Sequence, residues 1–169
     1  MTRYVSERLT SRHHPDAFRC GVDALDGWLL EHVANAQSMR AAQTFVWHRG
    51  DDGVVGYFSL AAHLVVRGEL PKRLGRESPG SIPAVTLVRL ALDVGLHGEG
   101  LGGELLWDAL TRARAASDIA AARLVVVDAI SREAAAFYEH HGFTPIPENP
   151  NRLVQNMSDI AHALDAGTV

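Results

Sequence analysis

Apolar positions along the chain switch between two spacings, and the switch marks out the elements. In "DALDGWLLEHVANAQ", Leu25, Trp28, Leu29, Val33 and Ala36 recur at i, i+3, i+4 and predict a helix with one apolar face and Asp23 as its N-cap. Leu105, Leu106, Ala109, Leu110 and Ala113 do the same in "GGELLWDALTRARAAS". A third helix is expected in "SREAAAFYEHHGF", capped by Ser131 and stopped at Gly142. Continuous apolar runs predict strands instead. "AAQTFVWHR" and "GVVGYFSLAAHLV" flank the turn "GDDG" and read as a hairpin. "AVTLVRLALDV" is apolar on both faces apart from Arg89, so it is placed centrally in a sheet, and "RLVVVDA" is a short buried strand. The segment up to Cys20 reads as a short strand with a turn at "HHPD". Residues 68–84, with Pro71, Pro79, Pro83 and three glycines, read as a long loop or broken helix. A proline-rich turn and a last strand near Arg152–Met157 close the pattern.

This order of helix, antiparallel strands, then strand–helix–strand–helix–strand predicts an α/β (α+β mixed-sheet) fold with helices on both faces. No repeat or low-complexity linker interrupts it, so residues 1–169 are expected to form a single domain. Composition leaves that picture unchanged: 47% apolar and 21% charged residues are globular values. No apolar run nears the roughly 18 residues of a membrane span, and "MTRYVSERLTSRHH" has no signal-peptide core. A cytoplasmic protein without membrane association is expected. Cys20 is the single cysteine, which rules out a disulfide framework within the chain and reads as a free buried thiol. Net charge is −4, the opposite of the usual nucleic-acid-binding balance. One local exception holds Arg67, Lys72, Arg73 and Arg76 with Glu69 as the sole acid among them. Adjacent histidines (His13-His14, His140-His141) point to different faces of a regular element, so no metal site is expected.

The stretch "HGEGLGGEL" carries the candidate chemistry. Gly98, Gly100, Gly102 and Gly103 lead straight into a predicted helix, a context that aims bare amides at an anion. A dinucleotide fingerprint places its glycines immediately after the first strand of a βαβ unit. Here "DVGLH" separates the strand end at Leu92 from Gly98; of the acids that follow, Asp118 falls in a helix or at its exit, and Asp128 is thirty residues on instead of about twenty. A nucleotide-triphosphate loop needs Lys-Ser/Thr after its last glycine, where this chain has Glu104-Leu105. A glycine turn without a ligand, or a coenzyme pyrophosphate loop, remains.

"LALDVGLHGEGLGGELL" resembles the coenzyme-binding motif of the GNAT acetyltransferases, Gln/Arg-x-x-Gly-x-Gly/Ala, with His97 in the first position, Gly100 in the fourth and Gly102 in the sixth. Histidine replaces the usual Gln/Arg, and Glu99 and Gly103 stand where basic residues are common. "FRCGVDALDGWLLEHVANAQ", "VVGYFSLAA", "IPAVTLVRLALD" and "AAFYEHHGFTPIP", in this order, are similar to the GNAT toxins of type II toxin–antitoxin modules, the TacT and AtaT group. The resemblance runs from about Phe18 to Met157. It implies the GNAT fold, and acetyl transfer from acetyl-CoA to the α-amino group of an aminoacyl-tRNA, which blocks translation. It also implies a ribbon-helix-helix antitoxin partner and a homodimer.

By that resemblance, Leu90, Ala91 and Leu92 would offer a backbone N–H to the thioester carbonyl. His97, Gly98, Glu99, Gly100, Leu101, Gly102 and Gly103 would form the pyrophosphate loop, leaning on amides and the helix dipole. Tyr138 would protonate the departing thiolate, whereas spacing alone reads it as a half-buried core aromatic in a stripe with Ala134 and Phe137. Arg67, Lys72, Arg73, Arg76 and Arg89 are candidate tRNA contacts. Glu139 and Asp128 read as a solvated helix-surface acid and a strand-end acid. The rival readings are a protein or small-amine N-acetyltransferase of the same fold, and a coenzyme- or partner-binding module without turnover.

Overall fold

The buried strand runs do assemble into one mixed sheet. A computed structural model describes residues 3–31, 35 and 38–167. Its strands are β1 (Val5–Arg8), β2 (Gln43–His48), β3 (Gly56–Val66), β4 (Ser81–Leu92), β5 (Leu124–Asp128), β6 (Thr144–Ile146) and β7 (Asn149–Asn156). The helices are α1 (Asp23–Glu31), a single turn α2 (Lys72–Gly75), α3 (Leu101–Ile119), α4 (Arg132–His140) and α5 (Met157–Ala166). Sheet order is β1-β2-β3-β4-β5-β7-β6. β4 lies inside the sheet, as its two apolar faces require, and pairs parallel with β5. The β1–β2, β2–β3, β5–β7 and β6–β7 pairs are antiparallel. Contacts gather into two compact units, residues 1–61 with 88–109, and 62–87 with 110–169.

In the first unit, Phe18, Leu29, Val46 and Tyr57 are at most 1% exposed and form the centre of the core. Asp23 is the first helical residue of α1 rather than its cap; the buried Asp26 carboxylate instead accepts from the Cys20 N–H at 3.0 Å. Cys20 is buried, its thiol pushed up to about 11 by burial and by Asp26. Leu25, Trp28 and Leu29 pack as their spacing predicts. Val33 and Ala36, the rest of the expected stripe, lie outside the described residues. The start of α3 buries Leu105 and Leu106 almost completely, about 1.5–3 kcal/mol each relative to exposure.

The second unit is built on Ile82, Leu124, Val126 and Val154. Ser131 caps α4 by accepting from the Ala134 N–H at 3.1 Å, and Gly142 follows the helix. Three expectations are corrected here. β4 begins at Ser81, three residues before the expected loop ends, with Pro83 inside the strand. β6 forms where a turn was expected; Pro145 is accepted because β6 is the sheet's edge strand. The chain after Asn156 is a helix, α5, capped by the Asn156 side chain and anchored by buried Met157 and Ile160.

Candidate active site

The first unit carries the glycine loop. β4 ends at Leu92, where Ala91 and Leu92 are buried and Leu90 is half-buried. Asp93 then fixes the exit: its carboxylate accepts from the Gly95 N–H at 2.9 Å and the Arg19 N–H at 3.1 Å. A 3-10 turn at Val94–Leu96 leads to His97, whose Nε2 donates to the Leu92 carbonyl at 2.7 Å. His97 is thus turned back onto the strand end. Gly98 (φ +82°) and Gly100 (φ +78°) follow in the left-handed region, and a Cβ placed on either would meet nothing within 4 Å beyond its chain neighbours. L-residues with a Cβ are disfavoured there, and the open space leaves the backbone free to approach an anion. Glu99 is exposed between the two glycines, and Leu101 is buried as the first residue of α3. Leu101, Gly102 and Gly103 form the first turn of α3, whose amide groups find no acceptor within the helix and could meet an anion. Leu90 to Gly103 thus form one continuous segment from the end of β4 through the turn to the first residues of α3, with the His97 ring bonded back to the strand end.

Beside this loop is a cavity of about 450 Å³ lined by Arg3, Tyr4, Arg49, Gly95, Leu96 and Glu99. The sequence pattern did not signal Arg3, Tyr4 and Arg49, because strand pairing, not spacing, unites them. Arg89, also in the first unit, lies over the Trp28 ring at 3.8 Å, and Trp28 stacks on Tyr57 at 5.9 Å. Burial works against the Arg89 charge and pulls its pKa down; the ring face offsets part of that loss.

The second unit holds Tyr138 and the basic segment. Tyr138 is 7% exposed, edge-on to Phe137 and Phe143 at 5.3 and 5.7 Å. Among the described residues its hydroxyl has no hydrogen-bond partner, and burial pushes the phenol above its ordinary pKa. Of the four basic residues, Arg67 donates to the Ser78 carbonyl at 2.9 Å and Arg73 to Thr144 Oγ1 at 2.8 Å. Lys72 and Arg76 are exposed and have no partner among the described residues. Asp128 is paired with Arg152 through two hydrogen bonds of 2.7 and 2.8 Å, and Glu139 is exposed.

One cluster escaped the sequence pattern. Glu7, His13, His48 and Asp52 bring their ligand atoms within 4.8 Å of one another, so His13 partners His48 and not its neighbour His14. The hydrogen bonds define its chemistry. Nδ1 of His13 accepts from the Thr10 N–H at 2.9 Å and Nδ1 of His48 from the Gly50 N–H at 3.0 Å. Both Nε2–H groups must then donate to Glu7 Oε1, at 2.9 and 2.7 Å. A metal-bound imidazole instead donates its second N–H outward, so this arrangement suits a carboxylate hub. Arg12 joins it, donating to Glu7 and, at 3.1 Å, to Asp52.

With that geometry in hand, comparison with known proteins gives concordant matches. The family described as Acetyltransferase (GNAT) family matches residues 8–143. A tRNA-acetylating toxin of Mycobacterium tuberculosis (strain ATCC 25618 / H37Rv) is 34% identical over 152 residues, covering 90% of this chain and 91% of that protein. The structure of AtaT complexed with acetyl-methionyl-tRNAfMet matches with a TM-score of 0.88 at 30% identity, over 94% of this chain and 98% of that one. A tyrosine-to-phenylalanine mutant of AtaT, bound to the C-terminus of the antitoxin AtaR and acetyl-CoA, matches at 0.82 and 27% identity, over 96% and 98%.

Proposed function

The chain belongs to the GNAT acetyltransferase family, and from that premise we propose that it is the toxin of a type II toxin–antitoxin pair, an enzyme that moves acetyl from acetyl-CoA to the α-amino group of an aminoacyl-tRNA. The observation that carries this reading is the glycine loop: two left-handed glycines open to solvent, running directly into the N-terminus of α3. The relatives support the acceptor, since one is a tRNA-acetylating toxin and another was solved with an acetylated methionyl-tRNA.

Residue by residue, the loop amides of Gly98 to Gly103 hold the pyrophosphate, aided by the helix dipole. The β4 end at Leu90–Leu92 supplies the N–H that polarises the thioester carbonyl, a contribution of about 2.7–4 kcal/mol for a donor of this kind. As the amine nitrogen bonds to the carbonyl carbon, the C–S bond breaks, Tyr138 gives its proton to the thiolate, and the proton shed by the acylated nitrogen returns the phenolate to phenol. Burial keeps that proton in place at every neutral pH. A tyrosine is also the residue replaced in the AtaT mutant solved with acetyl-CoA. A strong base is unnecessary, because an α-amino group with pKa about 7.7–8.0 is partly neutral at pH 7, unlike lysine at about 10.4. The reaction needs no metal in this scheme.

We read residues 1–169 as a single catalytic domain acting in the cytoplasm as a homodimer, restrained by a ribbon-helix-helix antitoxin. No helix of the described chain is long and apolar enough to cross a membrane. Incubation of radiolabelled acetyl-CoA with charged and uncharged tRNA tests the proposal: label is expected only on charged tRNA. Label on protein or polyamine, with none on charged tRNA, would overturn it.

A further inference from the structure

From Asp93 to Trp107 the chain contains three acids (Asp93, Glu99, Glu104) and no lysine or arginine. A loop meant to hold phosphates thus carries the wrong side-chain charge, and amides alone must work against it. The fold places cations beside it from elsewhere. Val5 pairs with His48, so Tyr4, just before β1, and Arg49, just after β2, emerge at the same end of the strand pair. The Arg49 guanidinium lies 5.8 Å from the centre of the Tyr4 ring, and Tyr4 stacks on Trp47 at 5.1 Å and 5°. Trp47 is fully buried, with its Nε1 donating to Asp108 of α3 at 2.9 Å. The strand end is therefore pinned to the same helix that the glycine loop opens. Arg3 and Arg49 then share one cavity with Gly95, Leu96 and Glu99, and neither guanidinium has a carboxylate partner among the described residues.

We propose that Arg3 and Arg49 bind the phosphates at the nucleotide end of acetyl-CoA, supplying from β1 and β2 the positive charge that the loop lacks. Guanidinium suits this role because it stays charged and meets phosphate oxygens with paired N–H donors. Tyr4 fixes the direction of Arg49 and leaves its donors free. The inference rests on the acetyl-CoA reading above.

The test compares wild type with Arg3→Ala, Arg49→Ala and Arg49→Lys. Calorimetry measures binding of acetyl-CoA and 3′-dephospho-acetyl-CoA, and kinetics compare acetyl-CoA with S-acetylpantetheine, which has no phosphate. Each alanine variant is expected to bind acetyl-CoA about tenfold more weakly, and Arg49→Lys less so. The ratio of kcat/KM for acetyl-CoA to that for S-acetylpantetheine should fall by a similar factor. If the loss vanishes with the 3′-dephospho compound, the arginines hold the 3′-phosphate; if it persists, they hold the pyrophosphate, and both results support the proposal. An unchanged ratio overturns it, whether both activities fall together or neither does. So does a change confined to the KM for aminoacyl-tRNA, which would assign the arginines to the other substrate. Wild type that fails to bind acetyl-CoA at all would sink the functional reading itself.

Discussion

Tyr138 combines two properties that separate a chemical role from a packing role. Its ring is buried against Phe137 and Phe143, yet its hydroxyl has no hydrogen-bond partner among the described residues. Tyr138→Phe therefore removes a proton donor while keeping the packing and orphaning no polar group. Thermal melting should stay close to wild type and the KM for acetyl-CoA should barely move, while kcat falls by about 10²–10⁴, the usual worth of a positioned acid. Full retained turnover would return Tyr138 to the core. Glu7 tests the opposite kind of residue, a structural anion. Hydrogen bonds from His13, His48 and Arg12 hold its pKa at about 2 instead of the ordinary 4.5. Because the folded value is the lower one, its contribution is complete above about pH 4.5 and is lost as pH falls toward 2. Melting temperature measured from pH 6 to 2 should fall more steeply in wild type than in Glu7→Gln, with the two converging at the acid end. Parallel curves would show that the hub does not contribute. Tyr138 became a candidate through its surroundings in "AFYEHHGF", whereas the Glu7 hub gave no signal, since His13 and His48 are 6 and 41 residues from Glu7 and meet it through the turn after β1 and the pairing of β1 with β2.

Element by element, legibility followed how local the deciding interaction is. α3 and α4 were readable because their buried stripes and the Ser131 cap lie within one stretch of chain. α5 carried a comparable signal, an Asn156 cap followed by Met157 and Ile160, but the sequence pattern assigns Met157 to the preceding strand and stops one element short. β6 could not be read locally, because only a place at the sheet edge makes Pro145 acceptable. The glycine loop lies between these cases. Its glycine spacing pointed to an anion site, while the return of His97 to the Leu92 carbonyl depends on the turn that Asp93 imposes. That division predicts how the loop responds to substitution. Gly100→Ala places a Cβ in a left-handed residue, costing about 1–2 kcal/mol of stability, and directs it into the open space a phosphate would enter. The expected result is a modest drop in melting temperature with a KM for acetyl-CoA raised at least tenfold. A variant that melts lower but binds acetyl-CoA normally would show that the open face of Gly100 is not the phosphate side.

At the scale of the whole molecule, a net charge of −4 argues against long-range attraction to tRNA, so any phosphate contact must come from a few placed cations. The basic segment supplies fewer than its sequence suggests. Arg67 and Arg73 spend donors on the Ser78 carbonyl and Thr144, while Lys72 and Arg76 stand exposed without partners among the described residues. Charge reversal should therefore divide the segment by structure rather than by formal charge. Lys72→Glu and Arg76→Glu are expected to raise the KM for aminoacyl-tRNA, leave melting unchanged, and each flatten the dependence of log(kcat/KM) on log[salt] by about one unit. Arg67→Ala should act mainly on stability, by about 1 kcal/mol, because it releases a carbonyl that closes the turn before β4. Unchanged salt slopes in both reversal variants would remove this segment from the tRNA-binding surface and leave recognition to groups outside residues 67–76.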